Sequence, residues 1–238
     1  MYDDRLIFQD LIKEAQNEKV KEIYAHIVKE STLHLNKFMD NPENPMYFMT
    51  PGFKEKIREL KALELSDNEA MIIADMQTSL NIYQSEGHPR RIQLLKRQLM
   101  KDYPVWKDSK NLFKYGAMHM ARGESFLTIR DIGNMIANLS ESNNQSSFHI
   151  MIIGESGETG APFKSFPASP VDIENGHFSN LKPFFDLTKG DKWHVFDLRP
   201  IRKAIENGQI DIDDVNLLRT IKGFDALVIV PKMTAAGF

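Results

Sequence analysis

The segment Gly116-Ala117-Met118-His119-Met120-Ala121-Arg122-Gly123 concentrates the most reactive side-chain types of this sequence in the fewest residues. An imidazole titrates near neutrality, so His119 can take a proton from water or from a substrate hydroxyl. A guanidinium three residues on, Arg122, can hold a carboxylate, a phosphate or a developing oxyanion. The structural alternative is as simple: His119 hydrogen-bonds its own loop and Arg122 pairs with Glu124. Spacing alone weighs the two alternatives equally.

A second loop, Gly154-Glu155-Ser156-Gly157-Glu158-Thr159-Gly160, has the glycines of a phosphate cradle but no P-loop lysine, and its two glutamates would repel an anion. Ser156 has glycine on one side only and fails the Gly-x-Ser-x-Gly elbow. The loop reads as a flexible surface segment, with Glu155 as a substrate-binding candidate at the site rim. His88, after Glu86-Gly87, is a second candidate for the cleft, although it also suits a helix start. No His-x-x-x-His pair occurs and cysteine is absent, so no metal site and no thiolate chemistry are expected. Asp197 and Arg199 flank Leu198 behind an apolar run and read as an ion pair fixing a turn.

The elements that must position these residues change in texture along the chain. From Leu6 to Phe38 the apolar residues recur at helical spacing, and Asp40 to Phe53, with three prolines, two asparagines and a glycine, reads as a long loop. Phe53 to Leu65 is helical again. Ser66-Asp67-Asn68-Glu69 is a capping box that starts a helix ending near Glu86-Gly87, and His88-Pro89 opens another that reaches about Tyr103. After Trp106 short apolar runs take over: Leu112 to Tyr115, Phe148 to Ile153, Trp193 to Phe196 and Phe224 to Val230. These read as buried parallel strands, with a helix capped by Thr128-Ile129-Arg130-Asp131 and running to about Leu139, another with Pro200 in its first turn and Gly208 just past its end, and a third at 211–220. The expected architecture is α/β, a mostly parallel sheet flanked by helices and preceded by an α-helical region. Residues 1–107 form the helical region and 108–238 the α/β domain.

With 238 residues, 42% hydrophobic and 26% charged, the chain can bury a full core. A formal charge of −3 without long runs of one sign gives no reason to expect nucleic acid as a partner. No apolar run approaches the roughly 20 residues of a membrane span. Met1 leads into polar residues without a basic stretch and an apolar stretch behind it, so the cytoplasm is the default compartment and the abrupt start suggests a fragment.

Several motifs together resemble a known family. The ordered set is Arg97-Gln98-Leu99-Met100, Phe113-Lys114-Tyr115-Gly116-Ala117-Met118-His119, Arg122-Gly123, Asp131-Ile132-Gly133-Asn134 and Phe224-Asp225-Ala226-Leu227-Val228. From roughly Glu86 to Val230 the chain resembles the later half of erythromycin-esterase-like proteins, a superfamily that also includes TraB-type and ChaN-type proteins. The resemblance implies an active site built from an early strand ending in Gly-Glu-x-x-His-Gly, a later histidine loop and an arginine from the intervening helix. His119 matches the later histidine and Arg97 the helix arginine, both in catalytic roles, with Arg122 in substrate binding; the three side chains should converge in one concave pocket. Gly116 stands where esterase members usually have the first histidine of His-Asn-x-His, and the early motif is absent.

The resemblance therefore implies an esterase-like hydrolase domain acting on a small-molecule substrate, without cofactor, and incomplete or inactive as this chain. The alternative is a non-catalytic protein of the same fold that binds a haem-like or other apolar ligand, in keeping with twelve methionines. A sheet lacking its first strand would leave an edge for a second copy, so a homo-oligomer is a further expectation.

Overall fold

The helical spacing at the start of the chain is realised as α1 (Asp4–Glu14) and α2 (Glu18–Asp40), which pack along each other. Asn17 caps α2 by accepting the Lys19 amide. In this computed structural model the described residues are 4–160 and 168–235, and they fall into two compact units divided between Leu94 and Leu95. The first unit continues with α3 (Pro51–Lys61), capped by Thr50, and α4 (Asp67–Asn81). Ser66 and Glu69 form the anticipated capping box in full, each satisfying the other's backbone amide. The buried Glu69 carboxylate also accepts a hydrogen bond from the Tyr24 hydroxyl at 3.2 Å. Phe8 meets Tyr24 and Phe53 at ring-centroid distances of 5.5 and 6.2 Å, so three helices share one aromatic core. A π-helical turn (Ile82–Glu86) leads into α5 (Gly87–Lys101), within which the units divide.

The second unit adds α6 (Tyr103–Trp106), a 3-10 turn at Ala117–His119, and α7 (Ile132–Ser142). The strands are β1 (Ile150–Gly154), β2 (Glu158–Thr159), β3 (Ser169–Pro170), β4 (His194–Asp197) and β5 (Ala226–Val230). Short α8 (Lys182–Phe185) precedes β4, while α9 (Arg199–Glu206) and α10 (Val215–Gly223) separate it from β5.

The sheet corrects the expected fold class. It has three strands in the order β1-β5-β4, parallel between β1 and β5 and antiparallel between β5 and β4, with β2 and β3 forming a separate two-stranded ribbon. A parallel neighbour needs a crossover of a dozen residues or more, usually a helix. Between β1 and β4 the described residues hold no α-helix longer than the four residues of α8. The chain returns at the same end of the sheet, with His194 opposite Ile229 and Asp197 opposite Ala226.

Nor are the strands buried on both faces. Met151, Ile153, Leu227 and Ile229 enter the core, whereas Ile152 and Val195 remain 58% and 69% exposed. A short apolar run does not reveal whether one face or two will be covered. Leu112 to Tyr115, expected as a strand, is irregular, and Leu112 is 94% exposed. Two apolar residues followed by a lysine find no partner strand here. Among the described residues no helix is long and apolar enough to cross a membrane.

Candidate functional site

The histidine loop is fixed by the start of α7, and each polar or small residue of Asp131-Ile132-Gly133-Asn134 has a distinct part in it. Asp131, the N-cap, accepts the Ile132 amide on Oδ1 at 2.7 Å and the His119 Nδ1–H on Oδ2 at 2.7 Å. A Cβ on Gly133 would lie 2.2 Å from the carbonyl carbon and oxygen of Met120, so only glycine lets the helix approach the loop this closely. Asn134 accepts the Gly123 amide at 3.0 Å. On the other side, the Arg122 amide donates to the Gly223 carbonyl at 2.9 Å.

Asp131 is fully buried, at 0% exposure, and His119 partly so. A buried carboxylate that receives Nδ1–H sets the tautomer: the proton sits on Nδ1 and the lone pair on Nε2. That is the orientation of a general base held by a carboxylate. The helix carrying Arg97 is tied to this loop through Lys96, whose ammonium donates to the Arg130 carbonyl, one residue before Asp131.

Arg122 turns to a different carboxylate. It forms a two-pronged ion pair with buried Asp225 and donates to the Ser147 carbonyl at 2.8 Å. Arg202 reaches the same carboxylate at 3.4 Å while donating to the carbonyls of Ile221 and Phe224. The His149 amide completes the set, donating to Asp225 at 2.8 Å. Burial disfavours the Asp225 carboxylate, yet the Arg122 and His149 hydrogen bonds and the charges of Arg122 and Arg202 outweigh it and hold the group below its ordinary value. The His149 ring is buried; Nδ1–H donates to the Met120 carbonyl at 2.7 Å, and Nε2 meets the Ser147 hydroxyl at 2.9 Å. Burial, with the nearby Arg122 and Arg202 charges adding to it, lowers the His149 pKa from 6.5 despite the opposing pull of the Met120 carbonyl and Asp225.

Both shifts make the second unit sensitive to acid. Below 6.5 an unfolded chain takes up a proton on His149 that the folded chain resists, so stability falls as pH drops through the interval between 6.5 and the lowered folded value. Asp225 contributes a second loss of the same sign below 3.8. The urea midpoint should therefore decrease from about pH 7 to about pH 5, and His149→Gln should flatten that slope. Equal slopes in the two proteins would remove His149 from the explanation.

The remaining candidates sit on other elements. Arg97 is exposed on α5, and half-buried His88, in the first turn of the same helix, belongs to the first unit. Glu155 accepts the Thr188 hydroxyl at 2.9 Å and lines a cavity of about 340 Å³ with Lys182 and Phe185. The glycine-rich loop is a clasp for Met233: a Cβ on Gly157, whose φ is +93°, would meet the Met233 carbonyl oxygen at 2.1 Å, and the Ser156 hydroxyl donates to the Pro231 carbonyl at 2.6 Å. Asp197 and Arg199 form the anticipated ion pair through two contacts of 2.8 Å. Glu124 pairs with Arg219 rather than with Arg122.

A larger cavity, of about 650 Å³, lies between α6 with the loop behind it and the end of α7. Neither cavity is lined by His119, Arg97 or Arg122, so the expected convergence of those three is not found in either. Sequence reasoning also missed the partners that give the two loop residues their roles. The sequence marks Asp131 only as a helix cap and a motif member. Asp225 carried a readable signal: a carboxylate directly before the apolar run 226–230 needs buried cations. Compared with family models, with curated proteins and with solved structures, the chain matches none of them.

Proposed function

We propose that the second unit is a hydrolase-type domain in which His119, oriented by Asp131, is the general base that activates water against an ester carbonyl. The supporting observation is the 2.7 Å contact between His119 Nδ1 and the fully buried Asp131 carboxylate. It directs basicity to Nε2 without a second histidine, which answers the glycine at position 116. Arg97 keeps the oxygen-binding role that the resemblance to erythromycin-esterase-like proteins assigns it. Arg122, engaged by Asp225, holds the loop in place and is a positioning residue.

The test is hydrolysis of p-nitrophenyl acetate and butyrate and of simple lactones by the purified chain. His119→Ala should lower kcat by about 10²- to 10⁴-fold with an unchanged circular-dichroism spectrum. No turnover by the parent protein, or full turnover by the variant, ends the proposal.

A further inference from the structure

The 650 Å³ cavity at the end of α7 has the size of a small-molecule site and a consistent chemistry. One wall is aromatic. Tyr103 and Phe113 meet Trp106 edge-on at centroid distances of 4.8 and 5.3 Å, and all three rings are partly exposed. The wall is braced from behind: the Trp106 indole N–H donates to the Leu99 carbonyl at 3.3 Å, and Asn143 donates to the Tyr103 hydroxyl at 2.8 Å.

The facing rim is polar. The α7 helix ends in a Schellman turn, with the Asn144 amide bonded to the Glu141 carbonyl at 3.0 Å and the Gln145 amide to the Ser140 carbonyl at 2.8 Å. That turn accounts for the positive φ of Asn144 and sets the Asn144 and Gln145 side chains on the rim. Among the described residues, the side chains of Asn144, Gln145, Ser146 and Lys110 make no hydrogen bond or ion pair. Lys107, whose ammonium also lies 3.9 Å from the Asp108 carboxylate, adds a second cation, and no carboxylate lines the cavity itself.

Each feature narrows the ligand. An aromatic wall takes a planar ring by stacking. Carboxamides offer a donor and an acceptor together, which suits the polar edge of a heterocycle. Two lysines in a lining that holds no carboxylate, one of them, Lys110, without an ion pair among the described residues, favour an anion over a cation. We propose that this cavity binds a nucleoside monophosphate, its base against Trp106 and Phe113, the base edge toward Asn144 and Gln145, and the phosphate toward Lys110 and Lys107. Binding here does not depend on the chemistry of His119, because the readout is occupancy.

The chain has two tryptophans, and Trp193 is 66% exposed, so Trp193→Phe leaves Trp106 as the sole indole reporter without disturbing the core. In that background AMP and UMP should produce a saturable fluorescence change, with calorimetry on the unsubstituted protein giving the same affinity. Adenosine should bind about tenfold more weakly than AMP, and Lys110→Ala should weaken AMP by a similar factor while leaving adenosine unchanged, as expected for loss of a hydrogen bond to a charged group. Inorganic phosphate and glucose 6-phosphate should fail to compete. Absence of saturation with every monophosphate in both measurements overturns the proposal. So does glucose 6-phosphate or inorganic phosphate binding as tightly as AMP, or AMP affinity that survives both Trp106→Ala and Lys110→Ala.

Discussion

Asp225→Ala is expected to destabilise the second unit by about 3 kcal/mol, the low end of the range for breaking a buried ion pair because Arg122 and Arg202 keep some exposure. The loss comes less from the carboxylate than from what it leaves behind. Two guanidiniums and the His149 amide would face each other without their shared acceptor. In a unit of this size that corresponds to a fall in Tm of about 10 °C, readable by circular dichroism. Replacing the pair together, as Asp225→Leu with Arg122→Met, should cost clearly less than the sum of the two single changes, since it removes charge and countercharge at once. A single-variant loss under about 1 kcal/mol would mean that the cluster is hydrated and that the loop is held by other contacts.

Asp131→Asn should separate catalysis from stability. The cap can survive, because the asparagine oxygen can still accept the Ile132 amide where Asp131 Oδ1 now does. The group facing His119 would then be an amide N–H₂, a donor placed where an acceptor is required. The imidazole must answer by moving its proton to Nε2, which removes the lone pair from the nitrogen assigned to the water. The expected result is a fall in kcat of up to about 10⁴-fold with KM nearly constant and Tm within a few degrees. Asp131→Glu, which restores a carboxylate, should recover part of the rate. Equal activity in Asp131→Asn and the parent protein would leave the aspartate as a helix cap and nothing more.

The site was only partly legible in the sequence, and the division follows the range of the interactions. His119 and Arg122 were visible as reactive types in a glycine-bounded loop, and the Ser66–Glu69 box and the Asp197–Arg199 pair were readable because both partners lie within a few residues. Whether His119 is a base or a prop depends on Asp131, twelve positions away, and the fate of Arg122 on Asp225, more than a hundred away. Local spacing offered Glu124 as a partner for Arg122 equally well, and the fold gave Glu124 to Arg219 instead.

The sheet followed the same rule. Apolar runs located β1, β4 and β5 closely, since a run of β-branched and aromatic residues is an intrinsic property of its segment. Their direction and burial are properties of connections and neighbours. A connection with no helix longer than four residues among those described returned β4 antiparallel, and a face left uncovered exposed Ile152 and Val195.

By itself, then, the amino-acid order determined the longer helices, the Ser66–Glu69 cap, the positions of β1, β4 and β5 and the identity of the histidine loop, because these depend on periodicity and on contacts a few residues long. Only the tertiary structure decided which carboxylate meets His119 and which meets Arg122, and how the strands align. The pairings rest on buried charges that must find partners across the whole unit, and the strand directions on connections and neighbours; no short window of sequence contains both members of such a pair.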